Sequence, residues 1–174
     1  MKPLQDDILT LRAVEVTDVD AMMQWENDSS QWESCNTSAP FSRKQLWDYA
    51  VNYSNDIYST GAIRLVVVLR STGALIGCVD IYDFNRFHNR AAVGLYIDSG
   101  YRGKGYGIRA MRIAVHYACE FLGMHQVVAE VACVNLASIR MLTACGFEVC
   151  GTMKGWFRRN ASYTDAKLML YTSK

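Results

Sequence analysis

Apolar and polar residues alternate over 8–14, a period of two that predicts a first strand. Thr17 with Asp20 three residues on resembles a capped helix start, so a helix carrying Ala21, Met22, Met23 and Trp25 is expected over 18–27. Ser42 and Gln45 match a capping box ahead of a second helix over 43–56, with Leu46, Trp47, Tyr49, Ala50 and Tyr53 as its apolar stripe. Two β-branched runs, 63–69 and 75–82, flank Arg70-Ser71-Thr72-Gly73-Ala74, which has the chemistry of a short hairpin turn. A further strand over 91–97 leads into a helix whose stripe is Ile108, Met111, Val115, Ala118 and Leu122, ending at Gly123. A strand over 125–133, a helix over 136–145 stopped by Gly146, and strands over 147–153 and 163–171 complete the chain. The order β-α-α-β-β-β-α-β-α-β-β predicts an α+β (mixed α/β) fold, a mostly antiparallel sheet with one or two parallel crossovers, covered by helices.

No repeat, low-complexity tract or Pro/Gly/Ser linker interrupts this pattern, so one domain over 1–174 is expected. At 51% hydrophobic and 20% charged, the chain holds enough apolar material for a core. Its longest wholly apolar run, 65–69, is far below the roughly 18–20 residues of a bilayer span, and no membrane partner is expected. The first seven residues lack the apolar stretch of a secretory signal, and the six cysteines include no Cys-x-x-Cys and no zinc-like spacing. A cytoplasmic protein without a metal is therefore expected.

A net charge of +1 gives none of the field typical of nucleic-acid binders. The distribution says more. Residues 1–100 carry 8 Lys/Arg against 13 Asp/Glu, and 101–174 carry 10 against 4. That asymmetry suits an anionic co-substrate on one side and a cationic acceptor on the other, and suits ordinary solvated surface equally.

The strongest local signal is Arg102-Gly103-Lys104-Gly105-Tyr106-Gly107, between a strand and a helix. Closely spaced glycines let backbone N–H groups converge, and the helix adds its positive end, so the loop can cradle a phosphate or pyrophosphate. Arg109 and Arg112 add positive charge. The spacing is neither a Walker A loop nor Gly-x-Gly-x-x-Gly, because Ile108 holds the last position. A turn that merely caps the helix is the other reading.

Arg102, Gly105 and Gly107 match the Gln/Arg-x-x-Gly-x-Gly/Ala signature, and Asn135-Leu136-Ala137-Ser138 with Gly146-Phe147 matches a second one. On these motifs, and on its element order, the chain resembles the GNAT superfamily of acetyl-CoA-dependent N-acetyltransferases. Within it, the chain looks most like the ribosomal-protein N-terminal and spermidine acetyltransferases. The resemblance implies a sheet splayed between strands 4 and 5 and about four flanking helices. It implies acetyl-CoA as donor, with the backbone of Arg102, Gly103, Lys104, Gly105, Tyr106 and Gly107 on the pyrophosphate. It places Leu95, Tyr96 and Ile97 along the pantetheine and acetyl group, with a backbone N–H there polarising the thioester carbonyl. Asn135, Ser138 and Arg140 would touch the remainder of the donor, Asn135 serving equally as a helix N-cap.

The acceptor implied is a protein N-terminus, a polyamine or another small amine, held against residues 25–40 with Glu26, Asp28 and Glu33 attracting it. Two positions depart from the family pattern: Ala92 and Leu142 stand where many relatives carry Glu and Tyr. Candidates for the missing proton chemistry are Tyr96, Asp83, Glu33 and His88. The alternative is a CoA-binding sensor that does not turn over. Residues 156–160 are expected at a hairpin tip, suited to the acceptor site or to a homodimer contact.

Overall fold

In the computed structural model, which describes residues 4–32, 37–159 and 161–173, the period-two segments become seven strands of one sheet. They are β1 (Leu9–Ala13), β2 (Ile63–Leu69), β3 (Leu75–Asn85), β4 (Arg90–Ile97), β5 (Gln126–Ala132), β6 (Glu148–Arg159) and β7 (Ser162–Thr172). Their spatial order is β1-β2-β3-β4-β5-β7-β6. Every neighbouring pair is antiparallel except β4 with β5. The described helices are α1 (Val19–Glu26), α2 (Arg43–Val51), α3 (Ile57–Thr60), α4 (Tyr106–His116) and α5 (Leu136–Ala144). The mixed α/β architecture is the one the sequence predicts, and no described helix is long and apolar enough to cross a membrane.

Strand alternation sorts the side chains into two faces. On the first, Leu65, Val79, Ile81, Val93, Val127 and Met169 pack beneath α4 and α5, with Met111, Ala114, Leu142 and Phe147. Of the predicted stripe, Met111 and Val115 on α4 and Ala118 and Leu122 beyond its end are buried, and Ile108 is half-buried. Phe147, 2% exposed and tilted against Tyr171, contributes on the order of 1.5–3 kcal/mol by burial. On the second face, Val66, Cys78 and Tyr96 pack under Val19, Met22 and Trp25 of α1 and Leu46 and Ala50 of α2. These two helices cover β2 to β4. Over β5 and β7 the second face is more open, with Glu130 exposed and Leu168 and Leu170 only half-buried.

Several boundaries differ from expectation, each for a tertiary reason. The capping box is formed by Glu15 and Asp18, in place of Thr17 and Asp20, and closes the 3-10 turn Val16–Asp18 that leads into α1. Asp18, 1% exposed, is fixed by Arg12 through two hydrogen bonds of 2.7 and 2.8 Å. α2 stops at Val51 because Tyr53 is bound elsewhere: its hydroxyl donates to the Arg64 carbonyl (2.6 Å) and accepts the Arg64 N–H (2.7 Å). Trp47 and Tyr49, expected in the buried stripe, stand 49% and 41% exposed. β6 runs on to Arg159, so residues 156–159 are strand and not hairpin tip.

Candidate active site

β4 and β5 pair only through Arg90–Gln126, Ala91–Val127 and Ala92–Val128. From Val93 to Ile97 the strands have parted, and β4 has no partner on that side. The Asp98 N–H donates to the Ile76 carbonyl at 2.9 Å. Alternation along β4 therefore turns the N–H groups of Leu95 and Ile97 away from β3 and into the gap, where no neighbouring strand receives them.

At the same end of β4 stands the N-terminus of α4. Gly105 is its N-cap, at φ 80, and no side chain caps the first turn. The first-turn N–H groups, with the positive end of the helix, are thus free of side-chain partners. Gly105 and Gly103 (φ 75) adopt the left-handed conformation that glycine takes at no steric cost. The Arg102 Nε donates to the Ile97 carbonyl (2.7 Å), and its guanidinium lies 5.6 Å from the Tyr96 ring centre. Lys104 Nζ donates to the Gly100 carbonyl at 3.0 Å. Arg109 and Arg112, expected to add charge to this loop, are engaged elsewhere. Arg109 pairs with Asp6 and Asp7 (2.8 and 2.7 Å), and Arg112 donates to the Ala144 carbonyl (2.8 Å). On α5, Asn135 Oδ1 accepts the Ser138 N–H at 3.1 Å, the N-cap arrangement, and Arg140 is exposed.

The second face presents different chemistry. Trp25 and Tyr96 are in ring contact at 6.0 Å. Burial, and then the nearby charges of Asp28 and Asp98, push the Tyr96 hydroxyl above its ordinary range. Beside them a pocket of about 420 Å3 is lined by Glu26, Phe41, Gln45 and Arg64, with residues 37–40. Arg64 grips Asp80 through Nε (2.7 Å) and Nη2 (2.9 Å), and its Nη1 donates to Glu26. Burial opposes the guanidinium's charge, yet Asp80 and Glu26 more than offset it and hold its pKa above the usual value. Glu26 is therefore not the free carboxylate expected, but part of a triad of two carboxylates and one guanidinium.

Of the proton-transfer candidates, the structure brings only Tyr96 to the gap. Asp83 is exposed at φ 50, beyond the Tyr82–Ala92 pair, which itself lies four strand residues, about 13 Å, from Tyr96. His88 is in the β3–β4 turn, its N–H donating to Asn85 Oδ1 (2.9 Å), farther along still. Glu33 lies outside the described residues. Leu142, 2% exposed, is core. Arg64 and Asp80 were missed, although a charge interrupting each of two β-branched runs was the available signal.

Comparison with known proteins agrees with this geometry. A family model described as an acetyltransferase (GNAT) domain matches residues 9–148. The chain is 24% identical to the uncharacterized N-acetyltransferase p20 of Bacillus licheniformis, over 95% of this chain and 93% of that one. It is 27% identical to the spermidine N(1)-acetyltransferase of Vibrio cholerae serotype O1, over 92% and 91%. The crystal structure of a Vibrio cholerae spermidine N-acetyltransferase in complex with CoA and spermine superposes with a TM-score of 0.84 at 26% identity, over 96% of each chain. With the sheet opened at β4–β5 and the family model spanning most of it, the chain belongs to the GNAT family and is an acetyl-CoA-dependent N-acetyltransferase.

Proposed function

We propose that this enzyme, acting as a single domain, acetylates the primary amine of a small cationic acceptor by direct attack of the amine on the thioester. A polyamine is the leading acceptor class, and a protein N-terminal α-amine belongs to the same reading. One observation carries it: the free edge of β4 and the uncapped start of α4 meet at one end of the gap, while a pocket lined by Glu26, Phe41 and Arg64 opens on the other face. The spermidine-acetylating relative supports the polyamine choice.

Bound acetyl-CoA supplies the activated acyl group. The residues here hold and polarise it. Backbone N–H groups of Arg102 to Gly107 receive the pyrophosphate, as helix N-termini do for phosphates. The outward N–H groups of Leu95 and Ile97 pair with the pantetheine and draw charge onto the carbonyl oxygen. Asn135 and Ser138 at the start of α5, and Arg140 at its middle, would contact the remainder of the donor. The amine attacks in its neutral form and its proton passes to water; Tyr96, protonated at neutral pH as tyrosine ordinarily is, is the proton donor to the leaving thiolate and regains its proton from solvent. Self-association is part of the proposal, because Trp47 and Val51 stand exposed one turn apart on α2.

The test is thiol release from acetyl-CoA against spermidine, aminoglycosides, amino acids and short peptides with free N-termini. Turnover with polyamines, above the other classes, is expected. CoA binding by calorimetry with silence across the panel would overturn catalysis and favour the sensor reading. Tyr96→Phe is expected to lower kcat by roughly 10²–10⁴ with CoA affinity unchanged.

A further inference from the structure

Between the pairs Met153–Ala166 and Phe157–Thr164, β6 sets Lys154, Gly155 and Trp156 opposite the single residue Asp165. Asp165 clasps this bulge: its Oδ2 accepts from Lys154 Nζ (2.7 Å) and its Oδ1 from the Gly155 N–H (2.9 Å). Gly155 turns at φ 57. Extra residues of this kind re-aim the side chain that follows, and such bulges are frequent beside active sites. Here the re-aimed side chain is Trp156. Its indole N–H crosses β7 to donate to Glu130 Oε2 on β5, at 2.9 Å.

Glu130 lies on the second face, two residues beyond Val128, the last β5 residue still paired with β4. It therefore stands at the mouth of the gap. From the other bank Tyr82 leans over Gly94, its Cε1 3.7 Å from where a Cβ on that glycine would be. After burial, the charge of Glu130 is the next cause that raises the Tyr82 hydroxyl, so the two groups share one environment. Among the described residues, Glu130 Oε1 has no protein partner, and Trp156 is 52% exposed. A large ring so exposed, hydrogen-bonded to an exposed carboxylate, is not core packing.

The donor loop and α4 lie on the first face, so an attacking amine enters from the second. We propose that Glu130, held by Trp156 and faced by Tyr82, receives the acceptor's ammonium group at the mouth of the gap. A carboxylate with one open oxygen offers a charge-assisted hydrogen bond, and the two rings offer faces to the cation. This assignment rests on the amine-acetylating reading above and names a residue for it on β5, away from the Glu26–Arg64 pocket.

The experiment is steady-state kinetics of Glu130→Gln with a diamine and with an arylamine that is uncharged at the assay pH, alongside calorimetry with CoA. The diamine KM is expected to rise roughly 10- to 100-fold, the size of a lost charge-assisted hydrogen bond. CoA affinity and the arylamine KM are expected to stay the same. Trp156→Phe, which keeps a ring and removes the donor, is expected to raise the diamine KM by a smaller factor. An active wild type with an unchanged diamine KM in Glu130→Gln would overturn this proposal alone. So would parallel losses of melting temperature and CoA affinity, which would mark Glu130 as a clip for the hairpin. A wild type that acetylates no amine would overturn the reading it rests on as well.

Discussion

The two banks of the gap are made of different material. On the donor side the groups presented are backbone: the free edge of β4, two glycines at positive φ, and a helix start without a cap. On the acceptor side they are side chains, the Arg64 triad and Glu130 with its clasped tryptophan. A backbone site depends on where glycine permits the chain to turn, whereas a side-chain site depends on partners brought from distant strands. Damage should differ accordingly. Substitutions in the Arg64 triad should cost stability, and donor-side substitutions should cost affinity in a protein that still folds.

The sharpest break in that contrast is Arg64→Met. It leaves Glu26 and Asp80 without their cation, and a loss of about 3–5 kcal/mol is expected in chemical denaturation. Next is Gly105→Val. Open space surrounds the position, so the cost is conformational, about 1–3 kcal/mol at φ 80, felt where the N–H groups must point. CoA affinity should fall roughly 10- to 100-fold by calorimetry with the fold retained, and Gly105→Asn, which tolerates the left-handed region, should fall less. Unchanged micromolar affinity in the valine variant would contradict the backbone cradle.

Asn135→Ala should cost about 1 kcal/mol through loss of the N-cap. A drop in CoA affinity beyond what that explains would show that Asn135 also touches the donor. The smallest effect is acid-dependent. Lys154, then the Gly155 N–H, hold the Asp165 carboxyl below its ordinary 3.8. A carboxylate with a lowered folded pKa stabilises the folded form above the ordinary value, and that contribution fades as pH falls through the lowered one. The Trp156 bulge should thus loosen only below about pH 3.8, read as a change in tryptophan fluorescence, and Asp165→Asn should show no such transition.

Legibility in the sequence follows the same division. Period-two runs, Gly146, and the glycine loop between a strand and a helix are local signals, and the strands, α4 and α5 follow from them, whereas the sheet's opening follows only from the family resemblance. The donor-side groups that misled were long side chains. Arg109 and Arg112 lie near the loop in sequence, but carboxylates of the N-terminal turn and a carbonyl of α5 claim them. Tyr53 looked like one more rung of a helix stripe because its bond to Arg64 spans eleven residues. Trp156 looked like a tip residue for the same reason: the bulge that aims it is closed by Asp165 on the neighbouring strand, which no local pattern announces.

The three residue pairs that join β4 to β5 also make a mechanical seam. Four strands lie on one side of it and three on the other, with the hydrogen-bonded ladder continuous across only that short stretch. A donor lying along β4 would act as an eighth, borrowed strand and brace the seam. Amide protons of Leu95 and Ile97, open to solvent exchange without it, should then slow when CoA binds, and protection should extend into β5 and β7 across a boundary the polypeptide alone leaves loosely stitched.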